Sequence, residues 1–175
     1  MLMRIKKIVS FAALILCAVL LTAEPSLALS VNGLAPPIAL RDSQGTYFYL
    51  SDYIGSSAKK PAKGIIVNFF ASTCDPCKKE LPALNSLVDG FEQKSIKVVI
   101  IGYKEGFETF MGMLENLKVD KPLILSDPYG KAGNEYGVYG LPMTVFIGAD
   151  GKVKEIVRGE MTGKALKETA AKFFK

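Results

Sequence analysis

The segment Ile65-Ile66-Val67-Asn68-Phe69-Phe70-Ala71-Ser72-Thr73-Cys74-Asp75-Pro76-Cys77-Lys78-Lys79-Glu80-Leu81 joins three local signals. Ile65 to Phe70 is a nearly continuous apolar run of strand length, the pattern of a central strand covered on both faces. Ala71-Ser72-Thr73 predicts a tight turn. Pro76 then fits the first turn of a helix, where its missing N–H does no harm. Leu81, Leu84, Leu87, Val88 and Phe91 follow at helical spacing. The pattern predicts a helix from about Pro76 to Asp89, kinked at Pro82 and stopping near Gly90.

That order, strand then turn then C-x-x-C then helix, has a chemical consequence. A cysteine just before a helix sits near unpaired backbone N–H groups and the positive end of the helix dipole. Both favour thiolate over thiol, and the thiolate is the nucleophile. Cys74 is therefore expected to be the attacking sulfur. Cys77, one turn further in, is expected to be buried and to resolve a mixed disulfide by intramolecular attack. Asp75 opposes thiolate formation by its charge, and Lys78 and Lys79 offset it in part.

Outward from this segment, strands and helices alternate. Ile38–Leu40 and Tyr47–Leu50 read as a hairpin across the turn chemistry of Arg41–Thr46. A short helical turn is expected at Ser51–Tyr53, then a loop over residues 55–64. Ile96–Ile101 reads as a second buried strand. Phe107, Phe110, Met111 and Leu114 form a helix face, read as core. Leu123–Leu125 reads as a short strand, and Lys131–Tyr136 as helical turns. Thr144–Ile147 and Val153–Val157 flank Asp150-Gly151, a hairpin signal. Thr162 reads as the N-cap of a last helix, with Ala165, Leu166, Thr169 and Phe173 on one face. The expectation is an α/β domain with a mixed sheet flanked by helices.

The chain has 175 residues, which suits one domain, and 49% of them are apolar. Residues 1–28 read differently from the rest. Arg4, Lys6 and Lys7 precede an apolar run from Ile8 to Ala23, and Ser26-Leu27-Ala28 offers a small-residue cleavage site. This is the pattern of a secretory signal peptide, or of an uncleaved N-terminal membrane anchor. Leu16 stands before Cys17 where a lipobox carries a small residue, which argues against a lipoprotein. Residues 29–175 then form the folded domain in a periplasmic or otherwise extracytoplasmic setting. Cleavage after Ala28 removes three of 22 basic and one of 17 acidic residues, so the net charge falls from +5 to +3. That excess is too small, and too scattered, to argue for nucleic acid.

Cleavage also removes one of the three cysteines, leaving Cys74 and Cys77. Two cysteines are too few for a disulfide scaffold or a four-cysteine zinc site. The sequence contains no histidine, which excludes a Ser-His-Asp triad, a His-ligated metal and C-x-x-C-H haem attachment. A loop this short is also a poor staple. Redox chemistry is the remaining physical reading, and it calls for no cofactor and no metal.

The nine residues Cys74 to Pro82 resemble the active-site segment of the TlpA/ResA-type thioredoxin-like proteins, within the wider redoxin (AhpC/TSA) group. The likeness spans most of residues 29–175. Ala35 to Leu50 is similar to that group's N-terminal extension, Gly140-Leu141-Pro142-Met143-Thr144 to its cis-proline segment, and Gly159-Glu160-Met161-Thr162 to the segment before its last helix. The resemblance implies a thioredoxin-like fold with an N-terminal β-hairpin extension. It also implies an extracytoplasmic thiol–disulfide oxidoreductase, often a reductant serving c-type cytochrome maturation. The expected partners are a disulfide-containing client such as apocytochrome c and a membrane thiol–disulfide electron donor. By the same resemblance Leu141–Pro142 is cis and presents the Leu141 backbone to an extended client segment, and Glu80 is the acid near the cysteines. If buried, Glu80 has a raised pKa suited to proton exchange with Cys77. Thr73, Asp75, Pro76 and Leu141 are the residues expected to meet the client. Thr73 departs from the family's tryptophan, and Asn68 stands where thioredoxin has a buried aspartate.

Two other chemistries fit the sequence less well. A peroxiredoxin-like peroxidase needs the pattern P-x-x-x-T-x-x-C, and Val67 and Ala71 occupy its proline and threonine positions. A thioredoxin-like copper chaperone uses C-x-x-x-C with a distant histidine. Here the spacing is C-x-x-C and histidine is lacking, although two thiolates suffice for Cu(I). Tyr136 and Tyr139 lie near Pro142 in the chain, where they would rim the site or simply pack.

Overall fold

The structure, a computed structural model, describes residues 29–175. The expected signal segment and Cys17 lie outside the described residues. Within them, seven strands form one sheet: β1 (Ala39–Asp42), β2 (Tyr47–Tyr49), β3 (Gly64–Phe70), β4 (Ile96–Tyr103), β5 (Leu123–Asp127), β6 (Met143–Gly148) and β7 (Val153–Arg158). The helices are α1 (Asp75–Glu92), α2 (Phe107–Asn116), the short α3 (Lys131–Glu135) and α4 (Gly163–Phe173), with a 3-10 turn at Leu50–Asp52. Strand order is β2-β1-β5-β4-β3-β6-β7. β3, β4 and β5 run parallel, and the remaining pairs are antiparallel, so the sheet is mixed as expected.

All seven residues of β3 are buried. Alternate side chains point to opposite faces of a strand. Ile66 and Phe70 therefore join Leu81, Leu84, Val88, Phe110 and Leu166 in a core beneath α1, α2 and α4. Ile65, Val67 and Phe69 join Val99, Ile101, Val145 and Ile147 on the other face. Phe48 of β2, Leu50 of the 3-10 turn and Tyr136 cover that second face. Asn68 is the one polar residue of β3, and by the same alternation it faces α1.

Several boundaries differ from the sequence expectation, each for a packing reason. Helix α1 runs through Gly90 to Glu92 instead of stopping there. Phe91 is buried in the α1 core, so the last turn is held by apolar burial that outweighs one glycine's propensity cost of about 1 kcal/mol. Pro82 lies inside the helix, which continues past it. Arg41 and Asp42 belong to β1 and not to the hairpin turn, because they pair with Ser126 and Leu125 of β5, and Arg41 pairs with Tyr47 of β2 as well. Tyr136 does not rim the site: its ring is fully buried and its hydroxyl donates to the Pro36 carbonyl at 2.8 Å. Tyr139, in contrast, is 82% exposed, with the Arg158 guanidinium 4.8 Å from its ring centroid. Among the described residues no helix is long and apolar enough to cross a membrane.

Candidate active site

The two cysteines lie where β3 hands over to α1. A turn closes this junction: the Cys74 N–H donates to the Ala71 carbonyl at 3.1 Å. Cys74 is the N-cap of α1, in extended conformation (φ −90°, ψ 101°), and its Sγ accepts the Cys77 N–H at 3.2 Å. An N-cap acceptor satisfies one of the orphan donors at a helix start, and here sulfur takes that place. Pro76 sits in the first turn, as its missing N–H allows. Cys74 and Cys77 are joined by a disulfide, with their Cα atoms 5.3 Å apart. Cys77 is fully buried in the α1 core, while Cys74 is half-buried and flanked by the exposed Thr73, Asp75 and Pro76. A partner therefore reaches Cys74 first.

Asp75 points into solvent and receives Lys78 Nζ at 2.9 Å. The hydrogen bond and charge of Lys78 hold the Asp75 carboxyl below its usual range. A surface pair of this kind adds little to stability.

Glu80 lies one turn beyond Cys77 on the same helix and is 1% exposed. Its Oε1 accepts the Thr144 hydroxyl at 3.1 Å and, more weakly, Asn68 Nδ2 at 3.4 Å. Asn68 Nδ2 also donates to Thr144 Oγ1 at 2.9 Å. Asn68 and Thr144 are directly opposed in the β3–β6 register, so one strand pairing puts both polar groups in front of α1. Glu80 Oε2 and Asn68 Oδ1 have no protein partner of good geometry. Burial pushes the Glu80 pKa up from 4.5 to about 7, helped by the nearby Glu160 charge; Thr144, the Met161 main chain and Asn68 pull the other way.

The Leu141–Pro142 peptide is cis. Met143 pairs with Phe69 in the antiparallel register, so one step further places Pro142 across from Phe70, just before the cysteine turn. Pro142 is buried, and its carbonyl accepts the Gly159 N–H at 2.9 Å. Leu141 is half-buried and packs against both cores. The sheet thus brings Cys74, Cys77, Glu80 and Pro142 to one end of β3 and β6. Thr144 carried no functional signal in the sequence, since a lone threonine in a buried strand reads as packing; only its register against Asn68 would have revealed it. Among the described residues no group of three or more His, Cys, Asp or Glu converges to hold a metal.

Residues 31–156 match the AhpC/TSA family. The chain is 30% identical over 141 residues to the thiol-disulfide oxidoreductase ResA of Geobacillus thermodenitrificans, covering 81% of this chain and 76% of that protein. A solved structure described as a thiol:disulfide interchange protein DsbE of Chlorobium tepidum superposes with a TM-score of 0.73 at 26% identity, over 85% of this chain and all of that one. A second structure, a thiol:disulfide interchange protein of the thioredoxin family from Chlorobium tepidum TLS, superposes with a TM-score of 0.66 at 23% identity, again over 85% and 100% of the two chains. The fold is thioredoxin-like.

Proposed function

The chain belongs to the AhpC/TSA family as a thiol-disulfide oxidoreductase of the ResA type, and we propose that it works outside the cytosol as a reductant of protein disulfides. The observation that carries this reading is the placement of Cys74 as the N-cap of α1, with Cys77 buried behind it.

The reduced dithiol starts the reaction. The Cys74 thiolate attacks one sulfur of the client disulfide, an S–S bond forms between them, and the client's second sulfur leaves as a thiolate. Cys77, deprotonated, then attacks Cys74 Sγ. The Cys74–client bond breaks, the Cys74–Cys77 disulfide forms, and the client's first sulfur leaves as a thiolate. Two electrons have passed from the protein to the client. Glu80, with a pKa near neutrality, is the base that takes the Cys77 proton and the acid that returns it when the protein is reduced again. The Leu141 backbone, ahead of the cis Pro142, is the edge along which an extended client segment pairs. Thr73, Asp75 and Pro76 form the exposed rim around Cys74.

In this reading residues 1–28 export the protein or anchor it, a membrane thiol–disulfide carrier returns the electrons, and apocytochrome c is a client. The Cys74→Ser variant is expected to abolish reduction of insulin or apocytochrome disulfides; unchanged activity refutes the reading. A Cys74–Cys77 potential near the thioredoxin end, about −270 mV, supports a reductant, and one near about −120 mV makes the protein an oxidant.

A further inference from the structure

We propose that Glu105 is a positioning residue for Cys74, acting through Ser72. The turn that delivers Cys74 to the helix start is Ala71-Ser72-Thr73-Cys74, and Ser72 is its second residue. Both polar groups of Ser72 are tied to one carboxylate: the Ser72 N–H donates to Glu105 Oε2 at 2.8 Å and the Ser72 hydroxyl to Glu105 Oε1 at 2.7 Å. Both are short, charge-assisted bonds, and together they fix the orientation of the turn as well as its place.

Glu105 is itself held. It lies in the loop between β4 and α2, remote from Ser72 in sequence. Lys104, just before it, is left-handed (φ 60°) and donates its N–H to the Asp127 carbonyl at 2.9 Å. The Glu105 carbonyl accepts the Ser126 hydroxyl at 2.8 Å. Both anchors are the last two residues of β5. The end of β5 therefore positions the β4–α2 loop, that loop positions the Glu105 carboxylate, and the carboxylate positions the cysteine turn.

The consequence falls on Cys74 Sγ. Its contact with the Cys77 N–H depends on the extended conformation of Cys74, which the turn sets. A turn freed from Glu105 samples orientations in which the sulfur leaves the helix N-terminus, and the thiolate loses stabilisation. The charge of Glu105 acts in the opposite direction, since a carboxylate near a thiol disfavours its ionisation. The two effects thus have opposite signs and can be told apart.

This inference rests on Cys74 being the attacking thiol, and its test does not use client turnover. The measurement is the rate of iodoacetamide alkylation of Cys74 in the reduced protein as a function of pH, read by peptide mass spectrometry. Ser72→Ala, which loses the hydroxyl bond and keeps the carboxylate charge, is expected to slow alkylation near neutral pH about threefold, by lowering the thiolate fraction, with the high-pH plateau unchanged; Glu105→Ala, which loses the charge as well, is expected to react more slowly than Glu105→Gln. Glu105→Gln keeps both bonds, its amide oxygen accepting the Ser72 N–H and its NH2 donating to the hydroxyl, and is expected to react at least as fast as wild type. Ser72→Ala reacting as fast as wild type, Glu105→Ala reacting as fast as Glu105→Gln, or Glu105→Gln slowed below wild type overturns the proposal. Should Glu105→Ala fail to fold, Ser72→Ala and Glu105→Gln decide by the same criteria. Disulfide reduction by the wild-type protein separately reports on the functional reading, so the two failures are distinguishable.

Discussion

Replacing Glu80 by glutamine tests the electrostatics of the buried site directly. Glu80 is 1% exposed, with Thr144 and Asn68 donating to one oxygen and no partner of good geometry on the other. Its pKa is raised from 4.5 in the unfolded chain to about 7 in the fold. Between those values the folded protein binds the proton and the unfolded chain does not. Stability therefore falls as pH rises through this window, because ionising Glu80 is easier after unfolding. At about 1.4 kcal/mol per pKa unit, the ionised carboxylate costs the fold about 3 kcal/mol above neutral pH. Glutamine keeps the shape and cannot ionise. The oxidised Glu80→Gln protein is expected to be more stable than wild type at mildly alkaline pH by up to about 3 kcal/mol, and nearly equal to it below the unfolded-state pKa. For a domain of this size the gain corresponds to a Tm rise of several degrees, about 3 °C per kcal/mol. Thermal or urea unfolding of both proteins across that pH range, with the disulfide intact, measures it. A difference between the two proteins that does not change with pH refutes the reasoning, since it would mean that Glu80 titrates alike in both states. In the reduced protein the same variant is expected to lose the titration near neutrality from the pH profile of the Cys77 resolving step.

Asp75→Asn removes a negative charge between the sulfurs and the partner of Lys78; alkylation of Cys74 near neutral pH is expected to quicken about twofold, less so at high salt, and slower alkylation contradicts the electrostatic account. Gly102 in β4 has no room for a side chain, because a Cβ there would run into the buried Phe110 ring, which packs edge-on against Phe70 at 5.2 Å. Gly102→Ala is expected to destabilise the protein by about 1–3 kcal/mol in urea unfolding, whereas Gly112→Ala, on the open face of α2, is expected to be neutral or stabilising by up to about 1 kcal/mol.

The features legible in the sequence are those written in short-range interactions. The burial of β3 follows from its apolar run, the start of α1 from Pro76 and the cysteine before it, and the β6–β7 hairpin from Asp150-Gly151. Each depends on side-chain periodicity, a cap or a turn, which neighbours along the chain determine. Cys74 as N-cap and Cys77 as the inner residue follow from the same local logic, and so does the Thr162 cap, whose hydroxyl accepts the Ala165 N–H at 3.2 Å.

Tertiary structure alone determined what surrounds those sulfurs. Glu80 is functionally interesting only because it is buried, and burial is a property of what packs on the helix, not of its sequence. Asn68 and Thr144 meet through a cross-strand register spanning 76 positions. Ser72 and Glu105 meet because two parallel strands end side by side. The overrun of α1 past Gly90 has the same origin: local propensity argued for a stop, and the burial of Phe91 in a core drawn from distant strands outweighed it. Hydrogen bonds across loops and strands, and the dielectric they sit in, exist only once the sheet has assembled. The chain alone therefore places the cysteine pair at the start of a helix, while the fold sets the burial of Glu80 and the orientation of the turn before Cys74.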